Sequence, residues 1–112
     1  MREVPGNDRF LDDVLSILKE QIKESLPSIR DAVLKSGKEF VLKSRKDLDR
    51  WNAMLVAGAI SAEEYGWLVE ARLTVAELNA LKAAGLALVR IEELRLSLVR
   101  AITGAALSAV GL

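Results

Sequence analysis

An all-α fold is predicted by three features of this 112-residue sequence. Apolar residues recur in steps of three and four from Leu11 to Leu55, and the same steps recur from Tyr65 to Ala109. Between the two runs, at 58–64, stands Gly-Ala-Ile-Ser-Ala-Glu-Glu, a helix stop followed by a helix start. The fold this predicts is a long antiparallel helical hairpin in one domain. Its parts are a flexible N-terminus (1–7), helix one (8–57), a turn (58–61) and helix two (62–110), and it packs with further copies as a homo-oligomeric helical bundle.

Helix one rests on the stripe Leu11, Leu15, Leu18, Ile22, Leu26, Ile29, Val33, Gly37, Phe40, Ser44, Leu48, Trp51 and Leu55. The mean step is about 3.67 residues, an eleven-residue repeat that keeps a helical stripe nearly straight. A strand would need period two, which this stretch lacks. Lys19, Lys23, Arg30, Asp31, Lys38 and Lys46 fall on the other side, as a solvated face requires. Pro27 lacks an amide hydrogen and collides with the carbonyl four residues back. Because the stripe keeps its phase across Pro27, a kink is expected there and not a loop.

The turn is the most specific local signal. Gly58 suits the left-handed position after a helix C-terminus. Ser61 suits the N-cap, and Glu64 three residues on completes a capping box. So short a connection makes neighbouring helices antiparallel. Trp51 and Trp67, equidistant from the turn, are then expected close together.

Helix two rests on Tyr65, Val69, Arg72, Ala76, Ala80, Ala83, Ala87, Ile91, Leu94, Leu98, Ile102, Ala105 and Ala109. A second ridge, Leu68, Val75, Leu78, Leu86, Val89, Leu96 and Val99, flanks it. Gly85 is a second break point, which in an alternative reading divides the helix into 62–84 and 86–110. An apolar surface this wide implies burial on more than one side. A lone hairpin of helices ~70 Å long has almost no interior. A second copy is therefore expected to cover an interface of Ala76, Ala80, Ala83, Ala87, Leu94, Leu98, Ile102 and Ala105. The competing arrangement is a compact monomer, in which breaks at Pro27 and Gly85 fold four short helices onto one another.

Chemistry is constrained mainly by what is missing. Without cysteine or histidine, disulfides, thiolate nucleophiles, imidazole triads and Cys/His metal sites are excluded. The carboxylate pairs Asp12/Asp13, Glu20/Glu24, Glu63/Glu64 and Glu92/Glu93 lie off both stripes. Glu63 and Glu64 are explained by the helix start, and Glu92 with Arg95 by a surface pair. Ser44 beside Lys43 and Lys46 does not face them on a helix, and no glycine-rich phosphate loop occurs. Catalytic, cofactor and metal sites are therefore not expected.

Lys35 to Arg50 holds six basic residues against three acidic, with Lys43, Lys46 and Arg50 on one face. The chain as a whole has 16 basic and 16 acidic residues, whereas nucleic-acid binders are usually basic. A solvated face with Glu39–Lys43 and Lys46–Asp49 pairs is the better reading, and no nucleic acid is expected. MREVPGNDRF has four charges and no apolar run, so no secretory signal is expected, and a cytoplasmic location follows. The expected function is that of a non-enzymatic helical interaction or scaffold protein. Its partner is itself, as a dimer or higher oligomer, or another helical protein. The alternative is a peripheral membrane or lipid-handling protein that uses the uncharged segment Ala101 to Leu112.

Overall fold

Pro27 starts a helix instead of bending one. In the computed structural model, which describes residues 5–109 and 111, the first half folds as α1 (Pro5–Gln21), α2 (Pro27–Lys43) and α3 (Arg45–Val56). The single helix expected over 8–57 is thus corrected to three. Proline at the first helical position has no hydrogen bond to lose. It also holds the preceding Leu26 extended, at φ −61° and ψ 147°. The stripe breaks at that point, and Leu26 is left 67% exposed. Of the N-terminal segment expected to be flexible, residues 5–7 belong to α1, while 1–4 lie outside the described residues.

Beyond Pro27 the predicted stripe is followed closely. Val33, Gly37, Phe40, Ser44, Leu48, Trp51 and Leu55 are all buried. Phase survives the α2–α3 junction because Ser44 is a kink and not a loop. Its amide donates to the Phe40 carbonyl, and its own carbonyl accepts from the Leu48 amide, both at 2.9 Å. In α1 the buried row is Phe10, Val14, Leu18 and Ile22, while the expected Leu11 and Leu15 are half-buried.

The second half folds as α4 (Ala62–Arg72), a 3₁₀ turn (Val75–Glu77), α5 (Asn79–Ala83) and α6 (Leu88–Ala109). The break near Gly85 is present, with that residue at φ 77°. A further break between Arg72 and Asn79 corrects the expected helix over 62–110. Its cause is burial. Leu73, Leu78 and Leu81 are completely covered, although on one straight helix they would spread over about 140° of the surface. Covering each contributes ~2 kcal/mol. Keeping the helix gains at most ~0.7 kcal/mol per residue from propensity, so the leucines turn inward and the helix yields.

α6 lies along α1 and α4, and α2 packs on α1 and α5. α1 and α6 are antiparallel: Arg90, early in α6, reaches the Ser25 hydroxyl just past α1 at 3.5 Å, and Gly104 lies beside Ile17. α2 meets α1 and α6 at Gly37, where a Cβ would come within 2.9 Å of Leu98 Cδ2 and 3.2 Å of Leu18 Cδ2. The molecule measures 40 × 33 × 23 Å, little more than half the length of the expected hairpin. The long hairpin is therefore corrected in favour of the compact arrangement, with additional breaks at Ser44 and Leu73–Leu78.

Candidate interaction surface

The turn at 58–61 aims α4 across α6. Gly58 is left-handed at φ 75°. The Ser61 hydroxyl accepts from the Glu64 amide at 3.1 Å, and the Glu64 carboxylate accepts from the Ser61 amide at 2.8 Å. Gly58, Ser61 and Glu64 thus stand as predicted, and α4 begins at Ala62. With that start, Tyr65 and Val69 point inward. The Tyr65 hydroxyl donates to Asn52 Oδ1. Burial, and then the nearby Asp49 charge, push its phenol far above the ordinary value of 10.0.

Trp67, two residues beyond Tyr65, is on the other side of α4 and is 58% exposed. Trp51 is buried in the core. The two tryptophans occupy different surroundings, and the contact made across the turn is that between Tyr65 and Asn52.

Arg95 ties α4 to α6. Its side chain, only 14% exposed, pairs with Glu92 at 2.9 Å and with Glu70 at 3.6 Å. It also donates to the carbonyls of Glu70 and Leu73, at 3.2 and 2.9 Å. These are carbonyls near the end of α4 with no helical partner of their own. The two helices, so fastened, leave a shallow open groove. Ala62, Gly66 and Trp67 form one wall, and Val99, Thr103 and Leu107 the other. The groove continues past Trp67 along Ala71 and Val75.

The outer side of α6 extends this surface. Its inner row, Ile91, Leu94, Leu98, Ile102 and Ala105, is buried within the chain's own core. At 100° per residue, the opposite row is Val89, Glu93, Leu96, Arg100 and Leu107. Val89 is 70% and Leu96 38% exposed.

The interface expected from the sequence is therefore not assembled. Leu94, Leu98, Ile102 and Ala105 are covered by the chain itself. Ala76, Ala83 and Ala87 are exposed and Ala80 half-buried, but they lie on the 3₁₀ turn, on α5 and in the α5–α6 connection. The eight residues share no helix face. Among the exposed apolar residues, which also include Leu26, Leu42, Val56 and Leu88, those on the outer side of α4 and α6 are Trp67, Val89 and Leu96. Val89, Leu96 and Val99 belong to the second ridge read from the sequence. Trp67 could have been found from its offset of two from Tyr65.

Apart from the Arg95 and Tyr65 contacts, the ion pairs on the described residues lie at the surface. Glu20–Lys23 (2.7 Å) and the expected Glu92–Arg95 are present. In place of Glu39–Lys43 and Lys46–Asp49, Lys43 pairs with Glu77 at 2.9 Å, and Asp47 meets Arg50 at 3.1 Å and Arg72 at 3.6 Å. The breaks in the chain bring Glu77 to Lys43 and Arg72 to Asp47. Among the described residues there is no group of three potential metal ligands, and no helix is long and apolar enough to cross a membrane. In the uncharged C-terminal segment, Ala101, Ile102, Ala105 and Ala106 are buried in the chain's own core. Compared with protein-family models, curated proteins and solved structures, the chain matches none.

Proposed function

We propose that this is a non-enzymatic helical interaction protein that associates with copies of itself through the outer face of α4 and α6. The observation that carries the reading is exposed Trp67, seated in an apolar groove with Val99 and Leu107. Leu96 and Val89 stand on the adjoining row of α6. Monomeric proteins rarely leave contiguous apolar patches beyond a few hundred Å², and tryptophan is concentrated at the centres of interfaces. Ala62, Gly66 and Ala71 beside Trp67 let a second backbone come near. The equal numbers of basic and acidic residues leave no net repulsion between copies.

The test is tryptophan emission as the full chain is diluted from about 100 µM to about 1 µM, a range that spans the affinity of a small interface. Trp51 is buried at every concentration and contributes a constant background. Covered Trp67 emits to the blue in the concentrated sample and shifts to the red on dilution. A spectrum with the red, solvated Trp67 component at every concentration overturns the reading.

A further inference from the structure

The charges on the outer row of α6 specify how two copies meet. Along that row, Val89 and Leu96 are spaced by seven, as are Glu93, Arg100 and Leu107. Seven-residue spacing holds a side chain on one face of a helix over several turns. Glu93 is 62% exposed in its side chain and, among the described residues, is paired only with Arg90, one turn away on the same helix. Arg100 is exposed and has no carboxylate partner among the described residues. If two α6 helices met in parallel and in register, Glu93 would oppose Glu93 and Arg100 would oppose Arg100. Turned antiparallel, the same row is complementary to itself.

Resting on the self-association proposed above, we infer that the protein forms a two-fold dimer in which α6 pairs antiparallel with α6 of the second copy. The axis passes between Leu96 and Ser97, and each Glu93 faces the other copy's Arg100. The arrangement has two further supports. It places the two Leu96 side chains next to each other at the centre. It also brings both Trp67 residues, which share a groove with Val99 and Arg100, close to the axis, where solvent exclusion is greatest. A two-fold contact of this kind is closed, so association stops at the dimer.

The size of the surface sets the strength. Val89 to Leu107 runs about 27 Å along the helix, and α4 with α6 is about 20 Å wide. The two copies together would bury roughly 1,100 Å², the low end for a specific interface. A micromolar dimer results, and not an obligate one.

The experiment is a charge swap, read as the dimer dissociation constant by sedimentation of the full chain at low salt. Glu93→Arg and Arg100→Glu, each alone, set like charges opposite each other and weaken the dimer tenfold or more. The double variant Glu93→Arg/Arg100→Glu restores the pairing and brings the constant back to within about threefold of wild type. Both residues are exposed, and circular dichroism verifies that each variant keeps its helicity. A wild-type dimer indifferent to the single reversals, or a double variant as weak as the singles, overturns this register while leaving self-association standing. A wild-type chain that is monomeric throughout overturns the self-association on which it rests.

Discussion

Gly37 is where three helices meet, and its missing side chain is part of the packing. A Cβ there would press on Leu98 Cδ2 and Leu18 Cδ2, both on leucines that are completely buried. Gly37→Val is expected to lower stability by about 1–3 kcal/mol, the range for overpacking a core, read as a fall in the urea midpoint. An unchanged midpoint would mean that α2 does not cross α1 and α6 there. Tyr65 gives a pH test. Its neutral phenol is favoured in the folded chain by burial and by Asp49, so its contribution is fully present below the unfolded value near 10. Above that pH the unfolded chain releases its proton while the folded one retains it, and stability falls. Urea unfolding at pH 8 and pH 10.5 should therefore show a loss in wild type that is smaller in Tyr65→Phe; an equal loss in both would remove Tyr65 as the cause. At this scale the sequence was legible where the chemistry is local. Gly58, Ser61 and Glu64 act on neighbours within three residues, so their roles can be read from spacing. The Asn52 partner of Tyr65 lies across the turn, and nothing in the spacing names it.

Among the elements, Arg95 has the widest reach, since one guanidinium holds two carboxylates and two carbonyls at the α4–α6 junction. Arg95→Leu is expected to cost about 2 kcal/mol, because the partly buried Leu73 carbonyl loses a charged donor. Arg95→Lys should recover less than half of that, as an ammonium cannot address both carbonyls and both carboxylates together. Thermal unfolding of the two variants checks the order, and full recovery by lysine would show that charge alone matters. Helix existence was legible throughout, but helix continuity was not. The stripe keeps its arithmetic across Pro27 even though the chain stops and restarts there, because a short connection can return to the same phase by coincidence. In the second half the alanines at 76, 80, 83 and 87 read as a helix interior from propensity. The neighbouring Leu73, Leu78 and Leu81 override them by burial, a tertiary effect that no local rule reports.

At the scale of the whole molecule, the sequence raised the question of what covers an apolar surface too wide for a hairpin. Most of the answer lies within the chain. Breaking the helices folds Leu94, Leu98, Ile102 and Ala105 into a shared core with α1 and α4, so those residues are not free for another copy. The apolar surface left on α4 and α6 lies elsewhere, around Trp67, Leu96 and Val89. It was only partly legible, because which ridge of α6 faces outward depends on where α1 and α4 pack. Whether this remaining surface draws two copies together separates a self-associating protein from a monomer. Sedimentation equilibrium of the full chain measures that directly. The mass should lie at the 12.2 kDa of one chain when dilute and climb to about twice that value by ~100 µM, without going further. A mass of 12.2 kDa at every concentration would contradict it.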